Sequence, residues 1–335
     1  MSRARLTLLV EDLAALAAAA PDTPAPSLEL CLARGRSLMH SAPNPDALRV
    51  ALFNADRGDT GAVPVAALTA VADGVAQAGD SRYWLRVDPV TLTADMTRVF
   101  MTAHGLADVD ETERAALRSC VRDTLAEAGH RLFHGCSERW LLALESAPPF
   151  TFMPLGDALG LDMAEALPNE SAAREWRRLL TDLQVALHNT EVNERRRARG
   201  MREINATWIW GGSRVPKPGP AVFDHVVSDH PVSRGLAVLA GCAVHPEADS
   251  GAANAQSGEW AWDWQTGPHG AREALERLER LLAVLIRDVT RGRLELTVLD
   301  GGGAGWRVDR AALRRFWRRP CSLREHFSVR ATEAL

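Results

Sequence analysis

Lysine is nearly missing from this chain. Lys217 is the only one in 335 residues, while arginine and alanine are abundant. That imbalance points to genome base composition rather than to a function. Cysteine is sparse, odd in number and scattered: Cys31, Cys120, Cys136, Cys242 and Cys321. No two of them form CxxC or another zinc spacing, so a zinc ribbon and a disulfide framework are excluded, and reduced thiols in a cytoplasmic protein are expected. Long apolar runs are missing too. No segment approaches the roughly 18 uninterrupted apolar residues of a membrane span. Glu11 and Asp12 interrupt the first apolar run, so no signal peptide is expected and the chain is placed in the cytoplasm, away from membranes. There is no excess of positive charge: the net value is -4, which excludes a global field for nucleic acid. Gly301-Gly302-Gly303 lacks a GxGxxG or GxxxxGK[ST] context and reads as a turn. No internal repeat is visible.

What remains is an ordinary globular composition, 46% hydrophobic and 24% charged, long enough for a large core and two domains. RLTLLV at residues 5–10 suits a first buried strand, with Glu11-Asp12 at its carboxyl end. Ser27 suits a helix cap. Residues 41–62 read as loop, and residues 83–90 as a strand stopped by Asp88-Pro89. Asp110 caps a helix over 110–128. Residues 131–134 and 140–144 read as a strand pair. Trp260, Trp262 and Trp264 alternate, which predicts a strand with one aromatic face. Residues 271–289 carry a leucine stripe at helical spacing, and 294–299 form a last core strand ending at Asp300. Strands alternating with helices predict an α/β protein with a mostly parallel sheet. The expected division is a core in two parts, 1–80 and 151–335, with an α+β lobe inserted at 81–150.

The chain is organised around residues 187–216, LHNTEVNERRRARGMREINATWIWGGSRVP. An amphipathic helix is expected over 173–199, with Gly200 as its stop. Residues 204–210 then read as a buried strand ended by Gly211-Gly212. Trp208 and Trp210 share a face, as core or as the wall of a ligand site. Arg195, Arg196, Arg197, Arg199 and Arg202 form the densest positive patch. It serves either as a solvated helix end or, through the Arg196 fork, as a phosphate site. Asp224-His225 and Asp229-His230 are spaced too loosely for a dependable ligand cluster.

VNxxRxxxGxxxxN (Val192-Asn193, Arg196, Gly200, Asn205), followed by WxWGG (Trp208, Trp210, Gly211, Gly212) and Pro216, resembles the RpfE-type regulatory proteins. More distantly, it is similar to the archaeal-type cofactor-independent phosphoglycerate mutases, which usually show His-Pro where this chain has Thr190-Glu191. YWLRVDPVTLTADMTR at 83–98 and RRFWRRP near the end also resemble the RpfE type. LFHGCSERWLLAL and DHPVSRGLAVLAG resemble mutase segments. The mutases belong to the alkaline phosphatase superfamily. The resemblance therefore implies an alkaline phosphatase-like three-layer sandwich with an inserted smaller α+β lobe.

The resemblance also implies a two-metal centre of Asp and His beside a Ser nucleophile. Here the chain departs from the pattern. Glu11-Asp12-Leu13 stands where the mutases have Asp-Gly, and Asp300-Gly301 where they have Asp-His. Ser37 and Ser41 have no motif around them. The remnants of a ligand set are Asp12, Asp263, His269 and Asp300. No metal or other cofactor is expected, and Mn or Mg enters only if the protein is an active mutase or phosphohydrolase with rearranged ligands. The reading is a mutase-like cytoplasmic binding or regulatory protein. Its partners are a small phosphorylated or anionic ligand or another protein; a structural partner protein is the further alternative. Asn193, Arg196, Asn205, Trp208, Trp210 and Gly211 are the expected ligand-binding residues. The first three are expected to converge near Gly211, either on an anion or to pin helix to strand. Residues 6–10, 204–210 and 294–299 are expected in one sheet.

Overall fold

Alternation decides the first strand. Leu6, Leu8 and Val10 enter one core and Leu9 the opposite one, so the carboxyl-terminal half of β1 (Ala4–Val10) is buried on both faces while Arg5 stays exposed, as suits a central α/β strand. The computed structural model describes the chain apart from residues 1–2, 43, 57–61, 136–138, 248–256, 268–269 and 334–335. After β1 come β2 (Arg36–Met39), β3 (Tyr83–Asp95), β4 (Arg98–His104), β5 (Leu132–His134), β6 (Trp140–Leu144) and β7 (Ala206–Arg214). The remaining strands are β8 (His225–Ser228), β9 (Ala243–His245), β10 (Glu259–Trp264), β11 (Leu294–Asp300) and β12 (Ala304–Val308). They divide into two compact units: one of residues 1–56 and 218–335, the other of residues 57–217.

The first unit holds a sheet in the order β2-β12-β11-β1-β10-β8-β9. Its core from β11 to β9 is parallel, and β12 and β2 add an antiparallel edge. The leucine stripe of the helix Ala271–Thr290 packs with the helices Leu13–Ala19 and Pro26–Arg34 on one face, against Trp260, Trp262 and Trp264. The aromatic face expected of β10 is thus present. The helix Pro45–Leu52 covers the other face through Leu48 against Leu9 and Leu299, and the helix Pro231–Ala240 packs beside it. Helices on both faces of a mostly parallel sheet make the three-layer α/β architecture that the sequence implies.

The second unit is an α+β body inserted in the first. Its sheet runs β4-β3-β6-β5, with β7 paired to β3, and every pairing is antiparallel. The helices Glu111–Glu127 and Arg174–His188 cover one face of it through Leu117, Val121, Leu179 and Leu183.

Several expectations are corrected. The inserted unit spans 57–217 rather than 81–150. Residues 204–210 do not join β1 and β11 in one sheet; β7 pairs along β3, with Val87 opposite Ile209. A strand buried on both faces reads alike in either sheet, so periodicity could not choose between them. β7 also continues through Gly211-Gly212 to Arg214, with a bulge where the register shifts. β3 runs past Pro89, which lies where its partner changes from β6 to β4, so the missing N–H breaks no ladder bond. The helix expected over 173–199 is two helices, Arg174–His188 and Glu191–Ala198, because the Thr190 hydroxyl accepts the Asn193 N–H and starts the second. Ser27 is not a cap: its N–H and that of Leu28 are capped by the Glu279 carboxylate. Residues 45–52 are helix, opened by Asn44, instead of loop.

Candidate functional site

In the inserted unit, the central block spends its polar groups inside the chain. The Asn193 side chain is fully buried. Its amide donates to Leu187 O and Ile204 O at 2.8 and 2.9 Å, and its oxygen accepts Ile204 N–H at 2.9 Å. Arg196 is 0% exposed. Its guanidinium donates to Arg202 O (2.7 Å), Asp108 O (3.2 Å), Glu113 Oε2 (2.7 Å) and Asp108 Oδ2 (2.6 Å). Asn205 accepts Leu92 N–H and donates to Leu92 O, both at 2.8 Å. Trp208 and Trp210 donate to Met153 O and Asp88 Oδ2. Gly211, at φ +68°, lies against Val65 and Ala66. Asn193 and Arg196 therefore tie one short helix to the segment entering β7, and Asn205 ties β7 to β3. The three are not gathered at Gly211. The helix brings Asn193 and Arg196 onto one buried face, whereas Asn205 reaches sideways across the sheet.

A second constellation lies at the carboxyl ends of the parallel strands of the first unit, where open α/β sheets place ligands. β1 is followed by Glu11 and Asp12, β8 ends at Ser228, β10 carries Asp263, and β11 ends at Asp300. In its middle is Arg49, 1% exposed, held there by the helix Pro45–Leu52. Its guanidinium grips both Asp263 oxygens, Nε to Oδ2 at 2.9 Å and Nη2 to Oδ1 at 3.1 Å. Nη1 donates to Asp46 Oδ1 at 2.8 Å, and Glu11 Oε2 lies 3.8 Å from Nη2. Asp263 also accepts from Ser233 Oγ (2.7 Å), Ser228 Oγ (3.4 Å) and Gln265 Nε2 (3.1 Å). His230 stands 4.0 Å from Asp263 and 3.9 Å from Asp46. Burial opposes the charge on Arg49, but Asp263 beside it holds the guanidinium protonated well beyond its usual range. Burial raises the Glu11 carboxyl above the usual carboxylate range; Arg49 opposes this.

The remaining acids are committed locally. Asp12 caps the helix Leu13–Ala19 by accepting Ala15 N–H at 2.7 Å. Asp300 Oδ1 accepts Leu13 N–H at 3.0 Å, and burial raises its carboxyl while the Leu13 and Gly302 amides lower it. Asp224 and His225 lie at the start of β8 and Asp229-His230 beyond its end, so the DHVVSDH motif does not form one cluster. His225 instead stacks on Trp260 with ring centroids 4.1 Å apart. His269 lies outside the described residues.

The donors among the described residues do not fit a pair of adjacent divalent ions. Such a pair needs free carboxylate and imidazole donors around it. Here a fixed guanidinium sits among Glu11, Asp46 and Asp263, and Asp12 and Asp300 accept helix amides. Among the described residues, no group of three or more His, Cys, Asp or Glu is arranged to hold a metal. Arg49 and Asp46 were not legible as site residues, because 41–62 reads as loop, and Ser233 carries no motif of its own. The available signal was a lone arginine in the apolar run ALRVAL, three residues after Asp46.

No protein-family model matches the chain. Over 207 residues it is 24% identical to a Geobacter sulfurreducens protein described as a probable 2,3-bisphosphoglycerate-independent phosphoglycerate mutase. The match covers 59% of this chain and 51% of the relative, so the chain spans about half the length of the curated relative it matches. The solved PH0037 protein from Pyrococcus horikoshii superposes with a TM-score of 0.53 at 13% identity, covering 93% of this chain and 92% of that one. The solved cofactor-independent phosphoglycerate mutase from Thermoplasma acidophilum gives 0.45 at 15% identity, covering 92% and 90%. The chain is thus distantly similar to cofactor-independent phosphoglycerate mutases, and its fold is that of the PH0037 protein. No helix among the described residues is long and apolar enough to cross a membrane.

Proposed function

We propose that this chain is a mutase-like binding or regulatory protein of the RpfE type, acting in the cytoplasm without a resident two-metal phosphotransfer centre. The observation that supports this most is Arg49. It places a permanent, non-exchangeable cation among the carboxylates at the carboxyl edge of the parallel sheet. A guanidinium neutralises those carboxylates but offers no open coordination position for a phosphoryl oxygen, and it cannot activate a nucleophile as a metal does. In this reading the 192–205 block fixes the inserted unit's helix and strands rather than holding a ligand, because its buried polar groups are satisfied within the chain.

The test is metal content and turnover on the same preparation. The purified protein should carry no stoichiometric divalent ion after dialysis, and should show no phosphoglycerate mutase activity with added Mn²⁺ or Mg²⁺. About two tightly held ions per chain, or turnover that disappears in Asp300→Asn, would overturn the proposal.

A further inference from the structure

The first unit carries one feature that the mutase-like reading does not use. Residues 314–319, RRFWRR, place four arginines around Phe316-Trp317, with no acid between them. From 307 to 324 there are seven arginines against one carboxylate, Asp309, in a chain whose net charge is -4. Phe316 is 76% and Trp317 67% exposed, and their rings meet edge to face, with centroids 5.3 Å apart. The two rings show roughly 300 Å² of apolar surface, at about 200 Å² for a whole aromatic side chain. That is the scale of the largest patch on an ordinary monomer.

The segment is held in place at its base. Asp309 caps the short helix Arg310–Leu313 through Ala312 N–H, and Ala312 is buried. Arg34 donates to Leu313 O at 2.8 Å, and Arg315 donates back to Arg34 O at 3.3 Å. The aromatic pair is therefore presented outward from an anchored turn, with Arg314, Arg318 and Arg319 exposed beside it.

We propose that this turn docks the protein on an anionic lipid bilayer surface. The arginines select the sign of the partner, since each guanidinium can fork onto a lipid phosphate or carboxylate. The aromatics select its texture: an indole and a phenyl ring both suit the boundary between headgroups and acyl chains. A bilayer needs no complementary groove, and these two rings are too exposed to line one for a peptide. The attachment is peripheral and reversible, because two rings and a few charges fall far short of a spanning helix.

The experiment is vesicle flotation with the full chain, using phosphatidylcholine alone and phosphatidylcholine mixed with phosphatidylserine, at low and high salt. Binding is expected only with phosphatidylserine and should weaken as salt rises. Arg318→Glu with Arg319→Glu should weaken it at least about thirtyfold, at roughly fivefold for each basic residue lost near the surface. Phe316→Ala with Trp317→Ala should abolish it. Both variants change exposed side chains, and an unchanged thermal melt confirms that they fold. Equal binding to neutral vesicles, unchanged binding in either variant, or binding to single-stranded DNA but not to vesicles would overturn the proposal.

Discussion

Arg196→Ala is the substitution with the largest consequence that the structure allows to be worked through. The side chain is fully buried and makes four hydrogen bonds, two to backbone carbonyls and two to carboxylates. Its removal acts unequally on the partners. Asp108 keeps Arg202, which donates to Oδ1 at 2.5 Å, and its side chain is 41% exposed, so water replaces much of what is lost. Glu113 is the costly one: its side chain is 9% exposed, and Arg196 is its guanidinium partner. Breaking a buried pair from one side costs about 3–5 kcal/mol, because the remaining charge is left uncompensated. The stranded carbonyls add to this, while entering water subtracts. The inserted unit should lose about 3–5 kcal/mol, or roughly 10 °C in melting temperature for a body of this size. Arg196→Lys should recover only part, since an ammonium cannot span Glu113, Asp108 and Arg202 O together. Urea titration followed by tryptophan fluorescence measures both variants. A loss below about 1 kcal/mol, the range of an exposed pair, would refute the pinning role. So would Arg196→Lys equal to the parent.

Two further predictions concern thiols and pH. Burial pushes the Cys31 thiol up to about 12, whereas Cys321 is exposed, so a thiol reagent at neutral pH should label Cys321 and spare Cys31 until the protein unfolds; mass spectrometry of the labelled peptides checks this, and rapid labelling of Cys31 in the folded protein would contradict it. Burial also lowers the His130 imidazole below its usual 6.5, beside the stacked ring of Trp176. The unfolded chain then takes up the proton first, so the stability that His130 contributes is present above 6.5 and is lost as pH falls through that value towards the folded one. Urea midpoints between about pH 5 and pH 7 should therefore rise with pH, and His130→Gln should flatten that rise; an unchanged slope in the variant would count against it.

Sequence alone determined the elements whose causes are local. The alternation of Trp260, Trp262 and Trp264, the leucine stripe of the helix Ala271–Thr290 and the Asp110 cap each follow from side chains a few residues apart, and each is present. The three-layer α/β core was legible for the same reason, since β1 and β11 each carry a continuous apolar face and end in a run buried on both sides. What the sequence could not decide was partnership. β7 carries the pattern of a central strand, and only the tertiary structure assigns it to β3 rather than to β1, because pairing is settled by the neighbours across the sheet. By sequence, the block that carries the family resemblance fits either a pocket or a pin. The choice turns on Glu113, 83 residues from Arg196, and on Leu92, 113 residues from Asn205. Arg49 is the sharpest case. Its meaning depends on Asp263, 214 residues away. Only folding brings that carboxylate to the end of a neighbouring strand, and so decides that a cation carried on a helix lies where carboxylates from separate strands converge.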